Sequence, residues 1–243
     1  MPKFSIIIPY AGQFEMTQNC IVSIRKNSFD FEIIAINNGG RSAGLDCDYI
    51  INNDDNLGFP KAVNQGIRQA KGEIIVILNN DTIVTPQWLD RLAAHLEYAD
   101  MVGPVSNNVS GPQLISYPGN NNPISIQIFG DQNYYNNKLQ SRPWYRLVFF
   151  CVAIKRAVID KVGLLDEQFS PGNFEDDDFC LRAIEANFKL VIADDVFIYH
   201  LGSQTHKSLN LDYQALLDTN RAKFNAKWPV AVQQLLRSNS LNY

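Results

Sequence analysis

Cysteine is scarce in this sequence, and no two cysteines stand in a C-x-x-C pair. The four residues, Cys20, Cys47, Cys151 and Cys180, are widely spaced. That spacing excludes the common zinc signatures and supplies no disulfide framework. Three of them sit in apolar surroundings and read as small buried residues, which fits a reducing, cytoplasmic setting. Long apolar runs are also missing. No window approaches the ~18–20 apolar residues that cross a bilayer, and the apolar part of the opening MPKFSIIIPY is too short for a secretory leader. A soluble chain is expected, with peripheral membrane association left open. Nor is there an excess of positive charge. The formal net charge is −4 and charged residues make up 19%, which argues against nucleic acid as a partner and against disorder.

What is present is a regular alternation of strand and helix signals in 243 residues, enough for one large domain with or without a helical tail. Residues 4–8 form a short apolar run ended by Pro9, which suits a strand buried on both faces. Helices are predicted over 15–26, 60–70 and 88–98, the last with Thr85 as N-cap and Pro86 in its first turn. Further strands are predicted over 31–36, 49–51 and 73–78. Alternation at this spacing predicts a parallel sheet with helices on both faces, whose ligands bind beyond the carboxyl ends of the strands. Four polar or Gly-containing segments follow those ends, at 9–13, 37–40, 52–59 and 79–82. Residues 106–143, rich in Asn, Gly, Pro, Ser and Tyr, show little periodicity and read as a long functional loop or a lid. Beyond them come a strand over 147–154, helices over 157–162 and 175–187, and a strand within 190–198. A largely helical tail over 211–236, broken at Pro229, packs on its own domain or on a partner.

Four stretches could carry chemistry. In IIVILNNDT (74–82) a buried strand delivers Asn79, Asn80 and Asp81 to its carboxyl end. A hard divalent cation takes one or two carboxylates plus phosphate oxygens there, although a strand-terminating Asx turn explains the same residues. In NLGFPKAVNQGI (56–67) Gly58 permits close backbone approach, and Lys61 and Asn64 lie about one turn apart near a helix N-terminus, a natural phosphate partner. An ordinary capped surface helix is the plainer reading. In FEDDDFCLR (174–182) four consecutive acids begin a helix, where the macrodipole favours them. Their crowding exceeds what a cap requires, and mutual repulsion raises at least one pKa, as suits a general base. The D-x-D-x-D-G spacing of a calcium loop is absent. Helical periodicity turns Asp178 inward and leaves Asp176 freer to face a substrate. In VFIYHLGSQTH (196–206) His200 follows a strand directly, but a lone His is more often structural than a ligand. His206 is weaker, and His95 has nothing to recommend it.

Taken together, these segments resemble the family 2 glycosyltransferases with the GT-A fold, in order over roughly residues 3–205. FSIIIPYAGQFEMTQNCIVSI resembles the family's first strand, nucleotide loop and helix, and EIIAINNGG its second strand. NLGFPKAVNQGI followed by GEIIVILNNDT is similar to its most recognisable stretch, with Asn-Asn-Asp in place of Asp-x-Asp. VGLLDEQFSPGNFEDDDFCLRA looks like its acceptor loop and base segment, and VFIYHLGS like the strand ending in a metal-ligating His. The resemblance implies an α/β fold with a Rossmann-like, mostly parallel central sheet, helices on both faces and a C-terminal helical tail. It implies a transferase domain over 1–210, divided into a nucleotide-sugar half (1–105) and an acceptor and catalytic half (106–210), with the tail at 211–243. It also implies roles. Pro9, Tyr10 and Asn38 contact the nucleoside, and Gly58, Lys61 and Asn64 flank the donor pocket. Asn80 touches ribose or diphosphate, Asp81 binds the metal and His200 completes its coordination. Asp176 is the general base, with Glu175 supporting it or holding the acceptor, and Asn79 is structural.

The expected activity is metal-dependent, inverting transfer of a sugar from a nucleoside-diphosphate sugar, UDP- or dTDP-linked, with manganese or magnesium. The acceptor is a hydroxyl of a glycan or glycoconjugate, as in surface-polysaccharide biosynthesis. Two departures from the family pattern lie on the acceptor side. The usual Gly near Cys151 is absent, and Gly-Gly-Phe-Asp-Glu appears as Gly163-Leu164-Leu165-Asp166-Glu167. A non-catalytic nucleotide-sugar- or carbohydrate-binding module is the alternative, since Asn-Asn-Asp could mark a degenerate transferase. A sugar nucleotidyltransferase fits less well, because the loop PYAGQF lacks any basic residue.

Overall fold

The computed structural model describes residues 2–40, 44–202 and 213–240; for Ala231, Asn239 and Ser240 only the backbone is described. His206 and the expected boundary at 210/211 lie outside the described residues.

Among the described residues nine strands, numbered in chain order, form one sheet in the order β3-β2-β1-β4-β8-β6-β9-β5, with β7 paired to β9 off this path. The first half is β1 (Phe4–Tyr10), β2 (Phe31–Asn38), β3 (Tyr49–Asn53) and β4 (Ile74–Leu78), all parallel. Both faces of β1, β2 and β4 are covered, while the edge strand β3 is half-exposed. Ile7, Ile34, Ile36, Ile75 and Ile77 point to one core, and Phe4, Ile6, Ile8, Ile33 and Val76 to the other. Two buried faces explain why these strands read as continuous apolar runs rather than alternating ones. Each fully buried Ile contributes about 1.5–3 kcal/mol. Helices α1 (Phe14–Asn27), α2 (Phe59–Gln69) and α3 (Trp88–Leu96) are the crossovers. Three of the cysteines, Cys20, Cys151 and Cys180, are buried free thiols.

The second half holds the remaining strands. β8 (Cys151–Lys155) runs antiparallel between β4 and β6 (Met101–Val105). β9 (Leu190–His200) is parallel to β6 and antiparallel to β5 (Thr82–Val84) and β7 (Ser141–Pro143). The predicted strand over 147–154 is thus corrected to begin at Cys151. Before it, backbone groups find side chains instead of a ladder: Leu147 N–H donates to Cys180 Sγ at 3.3 Å and Val148 N–H to Gln113 Oε1 at 2.8 Å.

The stretch 106–143 is not simply a loop. It contains α4 (Pro123–Asn137), capped by Asn122, whose side chain accepts from Ile124 N–H at 2.8 Å. Its buried positions are Ile126, Gly130 and Asn133, so no apolar stripe marks it. A Cβ at Gly130 would stand 2.4 Å from Thr85 Cγ2, and Asn133 Nδ2 donates to Asp194 O at 2.8 Å. Thr85 does not cap α3. Its hydroxyl donates to Phe197 O at 2.6 Å, and Gln87, at φ 60°, precedes the helix instead.

After α5 (Arg156–Val162) and α6 (Glu175–Glu185) come α7 (Tyr213–Lys227) and α8 (Val230–Ser240), separated at Pro229 as the sequence predicts. The tail packs on its own domain: Phe224, Trp228 and Leu236 join the core beneath α6. Among the described residues, no helix is long and apolar enough to cross a membrane.

Candidate active site

The carboxyl ends of β1, β2 and β4, the end of β9 and the start of α6 converge on one cavity of about 800 Å³. Eight of the eleven residues singled out from the sequence line it: Pro9, Tyr10, Asn38, Asn80, Asp81, Glu175, Asp176 and His200. Gly58, Lys61 and Asn64 do not. Asn64 is buried, and its amide clasps the chain after α5, donating to Leu165 O and Glu167 Oε1 at 2.9 Å each and accepting from Leu165 N–H at 3.0 Å. Lys61 is partly buried on α2. Gly58 acts through its backbone, since a Cβ there would stand 2.7 Å from Pro171 Cα.

Asp81 and His200 face one another because β5 pairs with β9, placing Thr82 opposite His200. Asp81 Oδ1 lies 3.0 Å from His200 Nε2. His200 Nδ1 lies 2.6 Å from Asn108 O, and its ring stacks on Phe150 at 5.3 Å. A carbonyl partner makes Nδ1 a donor and turns Nε2 toward the carboxylate. Two electron-rich atoms at this distance need a cation or proton between them, and adjacent ligands of a divalent cation at ~2.1 Å stand about this far apart. The donor set therefore fits a hard or borderline divalent ion. Among the described residues no group of three or more His, Cys, Asp and Glu suits a metal, so further ligands would be phosphate oxygens and water. Asn79, assigned a structural role above, also lines the cavity, with Nδ2 3.5 Å from His200 Nε2.

The amides nearby are held by the protein. Asn80 Nδ2 donates to Thr17 Oγ1 at 3.0 Å. Asn38 donates to Asn56 Oδ1 at 2.7 Å and accepts from Leu57 N–H at 3.0 Å, which fixes the turn before Gly58. Its neighbour Asn37, in the predicted 37–40 segment, does not line the cavity; it is buried and carries an Oδ1 with no partner among the described residues. The Tyr10 hydroxyl is likewise buried without a partner, and burial pushes its pKa up to about 12, so it remains a neutral donor.

At the opposite wall, Asn173 and Phe174, at φ 76° and 74°, lead into α6. Glu175 and Asp176 follow at 6% and 7% exposure, while Asp178 is wholly buried. Asp178 is structural, as its helical position predicts. It pairs with Arg182 Nε at 2.8 Å and Lys227 Nζ at 2.7 Å, and accepts from Trp228 Nε1–H at 2.8 Å. Burial, reinforced by the Asp176 charge, holds the Glu175 carboxyl well above the usual carboxylate range. The same two causes push Asp177 up to about 7, against the opposing pull of Arg146. Repulsion was expected to raise a pKa here; desolvation is the larger cause. Arg146 is a cavity residue that no sequence signal marked. It lines the cavity with Nη2 3.8 Å from Asp176 Oδ2 and Nε 3.0 Å from Asp177 Oδ1.

Comparison with known proteins bears on this geometry. Residues 5–163 match the family described as Glycosyl transferase family 2. The uncharacterized protein y4gI of Sinorhizobium fredii is 27% identical over 222 residues, 82% of this chain and 24% of its own length. The uncharacterized glycosyltransferase YwdF of Bacillus subtilis is 27% identical over 198 residues, 74% of this chain and 68% of its own. Among solved structures, GalNAc-T7 with UDP, GalNAc and Mn2+ superposes with a TM-score of 0.71 at 14% identity, covering 96% of this chain and 49% of that one. The chain thus spans about a quarter of y4gI and half of the GalNAc-T7 chain, and it shares the GT-A fold.

Proposed function

The chain belongs to glycosyl transferase family 2, and we propose that it transfers a sugar, with inversion, from a nucleoside-diphosphate sugar to a glycan or glycoconjugate hydroxyl in a metal-dependent reaction. The observation that carries this reading is the 3.0 Å approach of Asp81 Oδ1 to His200 Nε2 at the floor of a cavity whose far wall bears Glu175 and Asp176. The Mn2+ and UDP bound to GalNAc-T7 lend it support.

Asp81 and His200 would hold the cation, manganese or magnesium, which supplies charge neutralisation for the diphosphate. Pro9 and Tyr10 line the nucleoside side, with Asn38 holding the wall behind them. Asn80, tethered to α1, faces the ribose and diphosphate. UDP or dTDP is the nucleotide of the donor. Asp176 takes the proton from the acceptor hydroxyl as its oxygen bonds to the anomeric carbon. The bond from that carbon to the diphosphate oxygen breaks, and the electron pair leaves with the nucleoside diphosphate. Attack from the side opposite the leaving group inverts the configuration in one displacement. Arg146 holds the acid cluster beside the reacting atoms. Four free thiols accord with a cytoplasmic setting.

The test is nucleotide-sugar turnover and binding with and without Mn2+ in the wild type, Asp81→Ala and Asp176→Asn. Asp81→Ala should abolish metal-dependent donor binding. Asp176→Asn should keep binding and lower transfer about 10²–10⁴-fold. Transfer undiminished in both variants refutes the mechanism, and donor binding without turnover in the wild type favours a binding module.

A further inference from the structure

Helix α4 packs inward through Ile126, Gly130 and Asn133, yet the opposite side of the same helix is apolar as well. Ile124, Ile128 and Tyr135 are 69%, 54% and 77% exposed, and Leu139, in the turn that follows, is 56% exposed. At 3.6 residues per turn the three helical positions fall within about 40° of one another, so they form one ridge along α4. The ridge leaves roughly 500 Å² of apolar side chain in water, at the upper end of what a monomer exposes. A stable dimer buries about 800 Å² per partner, and the exposed Gln132, Asn136 and Lys138 beside the ridge supply the remainder.

The order of residues along the ridge is self-complementary. In two antiparallel helices related by a two-fold axis, each residue meets the one that lies equally far on the other side of the axis. The pairs Ile124/Leu139 and Ile128/Tyr135 share one midpoint, between Asp131 and Gln132. An axis placed there sets Ile128 against Tyr135 of the partner subunit, and Ile124 against Leu139 of the partner subunit. Asp131 is the only charged residue within α4 and stands at that midpoint. Its carboxylate pairs with Arg91 Nη2 at 3.2 Å, and the Arg91 guanidinium lies over the Tyr134 ring, 3.8 Å from its centroid. Two copies therefore meet as two neutralised ion pairs and not as two bare carboxylates. An anionic membrane fits this face less well, because it selects faces rich in Lys and Arg.

We propose that the Ile124–Ile128–Tyr135–Leu139 ridge is the interface of a homodimer, in which α4 packs antiparallel on α4 of a second copy of this chain about a two-fold at Asp131–Gln132. The inference goes beyond the transferase reading and does not depend on it. The interface nonetheless backs onto the site. From the inward side of α4, Gln127 Nε2 donates to Val84 O at 3.1 Å and Asn133 Nδ2 to Asp194 O at 2.8 Å. These contacts hold β5 and β9, the strands whose pairing sets Asp81 against His200.

Sedimentation velocity of the full chain over a micromolar concentration series tests it. Wild type should be a dimer, and Ile128→Asp and Tyr135→Asp should each weaken dimerisation at least about tenfold. Both side chains are exposed, so each variant should keep its Tm within about 2 °C, which separates lost pairing from lost folding. Crosslinking reads the register. The double variant Ile128→Cys, Tyr135→Cys should oxidise to a covalent dimer, whereas Ile128→Cys alone should not, because the two copies of that position stand about 10 Å apart along the helix axis. Wild type sets the background from the four native thiols. A monomer throughout the series, or a dimer that both Asp substitutions leave intact, overturns the interface. Crosslinking in the single variant but not in the double one overturns the antiparallel register. A monomer that sediments with phosphatidylglycerol vesicles assigns the ridge to a membrane and overturns the dimer as well.

Discussion

Arg146 Nε lies 3.0 Å from Asp177 Oδ1, and Arg146 Nη2 lies 3.8 Å from Asp176 Oδ2, so one guanidinium serves two neighbouring carboxyl groups on the first turn of α6. Burial works against its charge, but the carboxylates of Asp176 and Asp177 carry the net pKa upward. Removing it takes away the larger of the two positive charges that act on Asp177, leaving Arg237. Arg146→Met should lower transfer about 10–100-fold and shift the pH–rate profile to higher pH, with donor affinity nearly unchanged. A steady-state pH profile checks it; an unmoved profile would mean that Arg146 does not tune the cluster.

Asp177 gives a stability prediction with a definite sign. Its carboxyl is raised to about 7 in the folded protein, first by burial and then by Asp176, so the native state binds the proton more tightly than the unfolded chain. Its contribution is fully present below the ordinary carboxyl range and is lost as pH rises to about 7. Asp177→Asn should therefore gain on the wild type by roughly 3–6 °C in Tm between pH 5 and pH 8. Parallel melting curves across that range, with a constant difference, would contradict it.

Gly58 joins the two halves of the site. At φ 87°, and with Pro171 Cα 2.7 Å from where a Cβ would stand, any side chain is both strained and obstructed. Phe59 N–H also donates to Pro171 O at 2.7 Å, so the contact cannot slide apart cheaply. Gly58→Ala should cost about 1–3 kcal/mol, measured by urea denaturation.

Trp228 ties the tail to α6 through its indole N–H on Asp178 Oδ1. Trp228→Phe keeps most of the apolar contact and removes the donor from a wholly buried carboxylate. A loss of about 1–3 kcal/mol is expected in chemical denaturation. A change below a few tenths would mean that Lys227 and Arg182 satisfy Asp178 alone.

How much of this was legible in the sequence depends on what each element buries. β1 and β4 announced themselves because both faces of the strand are covered by Ile and Val. The break at Pro229 and the inward turn of Asp178 followed from local chemistry. α4 was hidden because its packed face consists of Gly130 and Asn133 as much as Ile126. β5 and β7 have three residues each, too few for a periodic signal. β6, with Gly103 and Pro104 inside it, carries no strand signal although it is fully buried. Among site residues, those at strand ends were found because a parallel sheet gathers them. Arg146 stands in a segment without periodicity, and its neighbours in space come from α6, 30 residues on. His95 was set aside as unremarkable, yet it pairs with buried Asp195 at 2.6 Å across 100 residues, a contact that no local pattern encodes.

The central claim is that Asp81 and His200 hold a divalent cation for a nucleotide diphosphate. Calorimetric titration of UDP into the wild type, Asp81→Asn and His200→Ala, each with and without Mn2+, tests it most directly. UDP binding should depend on Mn2+ in the wild type and weaken at least about tenfold in both variants. UDP affinity that is the same with and without Mn2+, or untouched by either substitution, would contradict it.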